Sequence, residues 1–539
     1  MTWTRGWRDR IWEELGGPWD VLILGGGITG AGILREATHL GLRALLVEAA
    51  DFASGTSSRS SKLIHGGLRY LRNFQIGTTI DSVRERERLL REGRGLVAPL
   101  PFVMPSFEGD ALPGWVFGFG LALYDALAMK WQHRHYSAAG LVALCPPLRT
   151  DGLRGGYRYI DAQTDDARLV LRVLREAVAG GGTALNYAAA VSLLRDRRGG
   201  IRGAALRDEA PERGGRTTEV LAGLVINATG PWADEIRRQG GHTARLRLLR
   251  GSHLIFPSLR LPLPRAVGLL HPLDGRPVFV FPWEGVTVIG TTDVPLSDRL
   301  VRDPAISPEE ADYLLAAARR AFPEAALSGD DVQATFAGVR AVLNTGKASP
   351  SKESREALLW LEDGLLTVTG GKLTTFRRVA VRALRFGRRR LPGGVTLMLR
   401  ERVLDPPPPE SCLEAPLAPS ACLRLVGRYG ADAPRLAQAA QDGELSPIGQ
   451  GVSLWAELRW AARAEGVVHL DDLLLRRVRL GLLLPQGALP WIDTIRRIVQ
   501  PELAWDDQRW SGEVERYKDL WSRAFSPRNS GQWSVVGGQ

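Results

Sequence analysis

The chain has 539 residues, of which 44% are hydrophobic and 24% are charged. This length exceeds one ordinary core and predicts two or three folded domains, and the composition excludes global disorder. The 70 lysines and arginines outnumber the 59 acidic residues, and the formal charge of +11 favours anionic partners such as phosphorylated metabolites or acidic lipids. The basic residues are scattered and no finger or helix-turn-helix spacing occurs, so nucleic acid is not an expected partner.

Cysteine usage and hydropathy indicate a cytosolic protein. Cys145, Cys412 and Cys422 form no C-x-x-C pair, which predicts a reducing compartment and neither a disulfide framework nor a metal site. No apolar run reaches the ~20 residues that span a bilayer, and the first residues lack the apolar stretch of a signal peptide. The segment GWVFGFGLALYDALAM is interrupted by Asp125, and we expect a core or interfacial helix there.

Residues 1–19 form an N-terminal extension before the first domain. Trp3, Trp7, Ile11, Trp12 and Leu15 recur at helical spacing, with arginines elsewhere on the turn. Such an amphipathic helix either lies on a membrane surface or docks on its own domain. We expect docking.

A strand, helix and strand pattern begins at Asp20. DVLILGGG is an apolar strand ending in glycines, ITGAGILREATHLG has helical spacing, and LRALLVEA is an apolar strand ending in an acid. This order within about thirty residues is the unit of a parallel α/β domain.

Short strands and helices follow in the middle of the chain. DDARLVLRVLREAVAGGG predicts a capped helix, while SHLIFP, PVFVFPW and VTVIGTTD predict an antiparallel sheet that forms a second lobe. A helix over residues 308–322 and the strands LLW and LLTVTG then lead into the helix TTFRRVAVRALRFGRRR.

The C-terminal region changes in composition. The run DPPPPESCLEAPLAPSA is rich in proline and marks a domain boundary. We therefore expect an interleaved two-lobed region at 20–400, a linker at 401–421, a helical domain at 422–522 and a flexible tail at 523–539. Lipid, a partner and solvent are all open as surroundings for the arginines of LLLRRVRLGLLL, and solvent is expected because charge runs usually face it.

A glycine fingerprint stands between the first strand and helix. Gly25, Gly27 and Gly30 form G-x-G-x-x-G, and Glu48 ends the next strand eighteen residues later. The glycines permit a tight turn and close approach of a pyrophosphate, and the acid accepts from ribose hydroxyls. This context favours dinucleotide binding over an ordinary turn, with FAD and NAD both open and NADP disfavoured because Glu48 would repel a 2′-phosphate.

Two later glycine turns favour a flavin. LVINATGPWA and LLTVTGGKLTTFR each place small residues where a strand ends before a helix. A helix N-terminus near Gly371 would suit the electron-rich side of a flavin ring. Alone, each is typical of any strand-to-helix turn.

Eight motifs occur in a characteristic order: GGGITGAGI, TSSRSSKLIHGGLRYL, DDARLVL, NATGPWA, GSHLIFP, IGTTDV, AGVR and GGKLTTFR. In this order they resemble the FAD-dependent glycerol-3-phosphate dehydrogenase family over residues 18–385, and more loosely over the helical C-terminal region. The resemblance implies an α/β protein whose Rossmann-like FAD-binding domain is interleaved with an antiparallel-sheet substrate domain of the glycine/D-amino-acid oxidase type, plus a helical C-terminal domain.

The resemblance also implies the activity. Members oxidise sn-glycerol 3-phosphate to dihydroxyacetone phosphate by hydride transfer to flavin N5 and pass the electrons to membrane quinone. A quinone acceptor implies peripheral attachment to the inner, cytoplasmic face of the cell membrane, and the positive charge would help on anionic lipids. The sequence leaves oxygen as an alternative acceptor, and it leaves a homo-oligomer possible.

The matched motifs imply contacts with non-covalently bound FAD. The implied cofactor residues are Gly25, Gly26, Gly27, Ile28, Thr29, Gly30, Glu48, Ser57, Ser58, Ser61, Lys62, Leu63, His65, Thr229, Gly230, Gly371, Lys372 and Thr374. Gly66 and Gly67 would let the backbone of SKLIHGGLRYL pass close to the ring.

The substrate side is implied in the same way. A phosphate dianion needs several cationic donors, for which the matched positions are Arg69, Arg340, Arg355 and Lys372, with Tyr70 and His65 beside them. The hydroxyl proton needs a base. His253 and His65 are the candidates, and His253 is favoured.

Some residues stay outside the predicted active site. Asp165 and Asp166 precede a helical run and are expected to cap it, and Asp293 is expected to be a structural group in a turn. Two positions depart from the family pattern: Ala341 replaces a proline and Phe376 replaces a tyrosine. These changes are expected at the rim of the pocket.

Two other interpretations remain open. One is an amino-acid oxidase or dehydrogenase on the same fold, which would need a carboxylate clamp instead of several cations. The other is an interaction module whose pocket has lost its chemistry. A set of charged residues kept in an apolar pocket argues against such a module.

Overall fold

Two β-sheets and a C-terminal group of helices make up the part of the chain that the structure describes. The structure, a computed structural model, describes residues 3–67, 76–110, 114–128, 130–212, 214–296, 300–344, 357–393, 402–413 and 415–527. The predicted Arg69, Tyr70 and Arg355 lie outside these residues. Among the described helices, none has the length and hydropathy required to cross a bilayer.

The strands fall into a parallel-centred sheet and an antiparallel sheet. In chain order they are β1 Trp19–Leu24, β2 Ala44–Val47, β3 Leu63–Ile64, β4 Val97–Phe107, β5 Arg134–Tyr136, β6 Leu153–Thr164, β7 Thr183–Leu185, β8 Ala188–Arg195, β9 Ile201–Asp208, β10 Thr217–Asn227, β11 Leu246–Pro257, β12 Ala266–Leu270, β13 Pro277–Trp283, β14 Val286–Gly290, β15 Val294–Pro295, β16 Ala334–Leu343, β17 Leu358–Glu362 and β18 Leu365–Thr369.

The helices cover the sheets and build the C-terminal region. They are α1 Trp7–Glu14, α2 Ile28–His39, α3 Ile76–Glu92, α4 Gly114–Ala128, α5 Ala138–Leu144, α6 Asp166–Ala179, α7 Ala233–Gln239, α8 Pro308–Ala321, α9 Phe376–Phe386, α10 Pro419–Tyr429, α11 Ala433–Ala439, α12 Trp455–Ala464, α13 Leu470–Asp472, α14 Leu480–Leu483, α15 Ile492–Leu503 and α16 Asp507–Ala524. A π-helical segment, Leu473–Arg477, follows α13.

The first sheet has the order β17-β18-β10-β1-β2-β7, and a β8–β9 hairpin extends from β10. Strands β18, β10, β1, β2 and β7 run parallel. Val21, Leu22 and Ile23 are fully buried, which explains why this strand reads as a continuous apolar run. The glycine turn therefore follows the central strand of a parallel sheet, as predicted.

The second sheet has the order β15-β11-β14-β13-β12-β4-β6-β3, with β16 beside β11 and β5 beside β6. Its pairs are antiparallel except β12 with β4. The predicted strands SHLIFP, PVFVFPW and VTVIG are β11, β13 and β14. This sheet forms the predicted second lobe, and its chain segments alternate with those of the first sheet.

The N-terminal helix α1 docks on its own domain, as expected. Trp3, Trp7, Ile11, Trp12 and Leu15 are all buried in the core of the first sheet. The ring of Trp3 stacks on Phe52 at 5.0 Å, and its Nε1 donates to the carbonyl of Ala184 at 3.2 Å. The tryptophans that suggested a membrane surface are thus core residues.

The C-terminal region is helical from Pro419 onward, two residues before the predicted end of the linker at residue 421. Proline suits the first position of a helix, because its fixed φ is already helical and its missing N–H would have no partner there. Proline richness therefore hid the start of α10. The described residues of the predicted linker also include a single 3₁₀ turn, Glu410–Leu413.

The arginines of LLLRRVRLGLLL do not face solvent, so that prediction was wrong. Arg476, Arg477 and Arg479 are at most 3% exposed and are paired with carboxylates of the first lobe. Arg477 donates through Nη1 and Nη2 to both oxygens of Asp51, at 2.6 and 2.8 Å. The local charge pattern did not predict that these arginines are buried, because carboxylates distant in sequence compensate their charges.

Replacing Asp51 with asparagine tests this buried contact. Arg477 would lose the carboxylate that binds both of its Nη atoms, so we expect Asp51→Asn to lower the free energy of unfolding by about 3–5 kcal/mol. Urea denaturation followed by tryptophan fluorescence measures this value. As a control, Glu108→Gln breaks a pair with Arg154 in which both side chains are more than two-thirds exposed, and should cost less than about 1 kcal/mol. Equal effects of the two changes would contradict the interpretation.

Candidate active site

A cleft of about 410 Å³ opens at the carboxyl ends of the parallel strands of the first sheet, against β16 of the second. Ligands of open α/β sheets bind in this position. The cleft brings together many of the predicted residues: Gly25, Gly27, Ile28, Thr29, Glu48, Ser57, Thr229, Gly230, Arg340, Gly371 and Lys372. The other predicted residues that the structure describes do not line it: Gly26, Gly30, Ser58, Ser61, Lys62, Leu63, His65, His253 and Thr374.

The glycine turn requires glycine for steric reasons. Gly25 has φ of +112°, and a Cβ there would lie 2.6 Å from the carbonyl oxygen of Ala228. A Cβ on Gly30 would lie 1.9 Å from the carbonyl oxygen of Gly25. The turn therefore packs its backbone against its neighbours and presents the N-terminus of α2 to the cleft.

Glu48 lines the cleft beside this turn. Its carboxylate accepts from the backbone N–H of Gly26 at 2.7 Å and of Ala50 at 2.9 Å. Burial raises the pKa of Glu48, and these two donors oppose the rise. A carboxylate has about four acceptor sites, so it retains capacity to accept from ligand hydroxyls.

Residues 55–62, here called the serine loop, connect the cleft to the second lobe. Ser57 Oγ accepts from the N–H of Ile28 at 3.0 Å, at the start of α2. Ser61 Oγ lies 2.9 Å from Nε2 of His253 on β11. One short loop thus contacts both the glycine turn and the favoured base.

Lys62 is the last residue of the serine loop, and its side chain is fully buried. Its Nζ pairs with Asp166 at 3.0 Å and donates to the carbonyl of Ser58 at 3.2 Å, and it lies over the rings of Trp283 and Phe336. Burial, and after it the Arg479 charge, lowers the pKa of Lys62 to about 8, although Asp166 opposes this shift.

The two aspartates at the start of α6 have different roles. Asp165 is the predicted cap, since it accepts from the N–H of Arg168 at 3.2 Å. Asp166 is more than a cap: it pairs with Lys62, and its Oδ2 accepts from Ser60 N at 2.9 Å. The helix-cap prediction was therefore incomplete, because the partner is more than a hundred residues away in the sequence.

His253 is enclosed by protein on both faces. Its ring stacks on Phe336 with centroids 4.4 Å apart, and a Cβ on Gly290 would lie 2.1 Å from its Cδ2. Burial, and then the charges of Lys62 and Arg340, lowers the pKa of His253 well below its usual range, so the imidazole is neutral at pH 7. Within the described residues its buried Nδ1 makes no hydrogen bond. A bound ligand commonly completes such a group.

Two of the predicted cations, Arg340 and Lys372, line the cleft. Arg340 Nη2 pairs with Asp293 at 3.0 Å and donates to the carbonyl of Thr292 at 2.9 Å. Lys372 Nζ donates to Ser82 Oγ at 3.3 Å. Their carboxylate and hydroxyl partners hold these cations at the wall. Asp293 is thus a structural group, as expected.

The stretch around His65 is held by Thr374, which lies just before α9, and by Tyr124 on α4. The backbone carbonyl of His65 accepts from Thr374 Oγ1 at 3.4 Å. A Cβ on Gly66 would lie 2.1 Å from the hydroxyl oxygen of Tyr124, so glycine is required there by the packing of α4. The tight approach at Gly66 is therefore to the protein itself.

The sequence analysis missed several residues that line the cleft. Ser54 and Gly55 directly precede the motif TSSRSSKLIHGGLRYL, Thr56 is its first residue, and Trp232 belongs to NATGPWA, so these motifs and their flanks already pointed to them. Arg302 also lines the cleft, and no local pattern marks it.

The two departures from the family pattern lie in different places. Ala341 lines the cleft next to Arg340, at the rim as expected. Phe376 is 1% exposed, and its ring lies where a Cβ of Gly32 on α2 would be, so the prediction of a rim position was wrong for this residue. An apolar ring suits a site that offers no solvent to a hydroxyl.

These donors fit a dinucleotide together with an anionic ligand. The helix N-terminus and glycine turn suit a pyrophosphate, and Glu48 suits ribose hydroxyls. Arg340 and Lys372 line the same cleft. The cleft can therefore hold a long cofactor and bind an anionic group beside it.

Comparison with known proteins agrees with this arrangement. Residues 20–377 match the family described as FAD dependent oxidoreductase, and residues 390–510 match that described as the C-terminal domain of alpha-glycerophosphate oxidase. The chain is 33% identical to the aerobic glycerol-3-phosphate dehydrogenase of Staphylococcus haemolyticus over 484 residues, which cover 85% of this chain and 86% of the relative. The enzyme of the same name from Staphylococcus saprophyticus is 32% identical over 504 residues, 87% of this chain and 88% of the relative.

Solved structures show the same fold. The glycerol-3-phosphate dehydrogenase from Bacillus halodurans, solved in complex with FAD, superimposes with a TM-score of 0.79 at 28% identity and covers 98% of this chain and 99% of its own. The L-alpha-glycerophosphate oxidase from Mycoplasma pneumoniae shares the fold with a TM-score of 0.55 at 16% identity, over 72% of this chain and 99% of its own. The chain therefore belongs to the FAD-dependent glycerol-3-phosphate dehydrogenase family, and its cofactor is FAD.

Proposed function

We propose that this protein oxidises sn-glycerol 3-phosphate to dihydroxyacetone phosphate and passes the electrons to a membrane quinone. The observation that carries the proposal is a single cleft that is lined both by a dinucleotide turn and by the cations Arg340 and Lys372. The names of the relatives from Staphylococcus and of the Bacillus structure support the same substrate.

The cations would bind the substrate phosphate. Arg340 offers a forked guanidinium, and Lys372 adds a point charge from the turn before α9. Arg69 and Arg355 complete the proposed set. An amino acid would carry its own ammonium group into this positive region, which favours a phosphate ester over an amino-acid substrate.

The base is proposed to be His253. FAD supplies the acceptor for the hydride that leaves C2 of the substrate. The neutral imidazole would take the hydroxyl proton on Nδ1 while Ser61 holds Nε2 and fixes the orientation of the ring. Lys62 and Arg340 would then oppose a long-lived imidazolium and favour release of the proton.

The quinone acceptor implies contact with the membrane, and α4 is the proposed contact. Val116, Phe119 and Leu123 lie on one exposed face of this helix, and Trp131 just beyond it is 71% exposed. A second cleft of about 640 Å³ beside α4 has a cationic rim that includes Arg84, Arg91 and Lys130. Exposed apolar and aromatic groups next to basic residues are typical of a surface that lies on anionic lipid.

The first test is reduction of the bound flavin. We expect anaerobic glycerol 3-phosphate to bleach the band near about 450 nm in the wild type, and glycine or proline to leave it unchanged. Arg340→Gln removes a charged donor from the phosphate, so kcat/KM should fall by about 10- to 200-fold. Arg276→Gln is the matched control, because Arg276 pairs with the same Asp293 at 2.9 Å but does not line the cleft. A flavin that glycerol 3-phosphate does not bleach would reject the substrate.

The pH dependence of kcat/KM tests the base. The lowered pKa of His253 keeps it neutral down to well below pH 6.5, so activity should fall only as the pH drops through that low value, with no acid limb near 6.5. His253→Asn should reduce kcat by about 10²–10⁴-fold, and Ser61→Ala should change kcat less. If His65→Asn causes this loss and His253→Asn does not, His65 is the base.

Vesicle binding tests the contact of α4 with lipid. Phe119 is 73% exposed, and Phe119→Asp should weaken binding to vesicles of phosphatidylglycerol and phosphatidylcholine several-fold, because a carboxylate opposes both apolar burial and anionic lipid. Leu259→Asp is the control, since Leu259 is 79% exposed but lies after β11. Equal binding of both variants in a co-sedimentation assay would argue against α4.

A further inference from the structure

We propose that Arg479 of the C-terminal helical domain is a positioning residue of the flavin site, because it holds the serine loop through Ser58 and Asp166. The proposal rests on the function proposed above, in which the serine loop borders the bound FAD. It gives the C-terminal domain a part in cofactor binding, although the glycine turn, the serine loop, Arg340 and Lys372 lie in the first two lobes.

Contacts with several parts of the structure hold Arg479 in place. It is 1% exposed and its φ is +67°, which turns the chain between the π-helical segment and α14. Nε donates to Asp165 at 3.1 Å, Nη1 to the carbonyl of Leu475 at 2.7 Å, and Nη2 to the carbonyl of Ser58 at 3.1 Å. Nη2 also pairs with Asp166. The guanidinium thus bonds its own domain, the cap of α6 and the serine loop together.

Asp166 and Lys62 complete a buried cluster of hydrogen bonds around Arg479 and Ser58. Asp166 Oδ1 accepts from both Arg479 and Lys62, and Oδ2 accepts from the N–H and hydroxyl of Ser60 at 2.9 and 2.7 Å. The carbonyl of Ser58 accepts from both cations as well. Ser58 and Ser60 of the serine loop are therefore held by one carboxylate and two buried cations, and these buried groups have no contact with solvent to replace a lost partner.

Displacement of the serine loop would affect both the cofactor cleft and the proposed base. Ser57 bonds the first N–H of α2, where the pyrophosphate is expected, and Ser61 bonds the proposed base His253. Without Arg479, Lys62 would be the remaining cation on the carbonyl of Ser58 and on Oδ1 of Asp166 among the contacts of the described residues. We expect the loop to loosen and both FAD binding and turnover to suffer.

Docking of the C-terminal domain does not depend on Arg479 alone, because Arg428 also joins this domain to the start of α6. Arg428 lies on α10, is 2% exposed and donates to the other oxygen of Asp165 at 2.9 Å, and it also pairs with Glu284 and Glu457. It contacts no residue of the serine loop among the contacts of the described residues. Arg428→Gln therefore disturbs the same domain junction without touching the loop.

The test compares Arg479→Gln, Arg479→Lys and Arg428→Gln in the full-length protein. FAD is removed from each, and its affinity is measured by the quenching of flavin fluorescence on titration into apoprotein, with thermal unfolding of each apoprotein alongside. We expect Arg479→Gln to weaken FAD binding by about tenfold or more and Arg479→Lys to recover part of the loss, because lysine keeps the charge but not the fork. Arg428→Gln should stay within about twofold of wild type even where its unfolding midpoint falls equally.

Equal weakening by Arg479→Gln and Arg428→Gln, or unchanged FAD affinity in Arg479→Gln, would overturn the proposal. If Arg479→Gln does not fold, the conservative Arg479→Lys decides by the same comparison: weaker FAD binding than in Arg428→Gln supports it, and equal binding rejects it. FAD titration needs no substrate, so a wild type that binds FAD but is not reduced by glycerol 3-phosphate would reject the proposed function alone.

Discussion

A seam of buried carboxylates and arginines joins the C-terminal helical domain to the cofactor lobe, and the serine loop takes its position from this seam. Moving an ion out of water costs several kcal/mol, and only a well-placed counterion offsets that cost. Asp51, Asp165 and Asp166 are each essentially inaccessible, and each is paired with an arginine of the C-terminal domain. The two units therefore cannot separate without leaving several charges buried or newly hydrated, so their relative position is strongly constrained.

The same seam shapes the electrostatics of the site. Lys62 is held behind the cleft by Asp166, while Arg340 is held at its wall by Asp293. These carboxylates lower the cost of burying the cations but leave them close enough to depress the pKa of His253. The site can thus be positive enough to bind an anion and still contain a neutral imidazole, which an isolated histidine near pH 7 would not guarantee.

Local sequence predicted the parts of the fold that depend on local rules. The glycine turn with Gly25 and Gly30, and Glu48 at the end of the next strand, could be predicted because a strand, a tight turn and a helix impose their own spacing. The antiparallel lobe was predicted from its short apolar strands. The cleft-lining positions of Arg340 and Lys372 came from the family resemblance instead. The pairings of Arg477, Arg479 and Asp166 could not be predicted locally, since their charged partners are more than a hundred residues away. Phe376 was misplaced for the same reason: its neighbour Gly32 lies on a distant helix.

The backbone around the seam explains how neighbouring arginines reach one cluster. Successive side chains of an α-helix diverge by about 100°, so Arg476 and Arg477 would ordinarily point to different surroundings. They lie in a π-helical segment, and their long side chains allow both guanidiniums to reach Asp51. Arg479 then takes a left-handed conformation, which costs a non-glycine residue about 1–2 kcal/mol and is sustained only when surrounding contacts enforce it. Its contacts with Asp165, Asp166 and Ser58 provide that enforcement, so the strained turn of the C-terminal domain and the serine loop of the cofactor lobe hold each other in place.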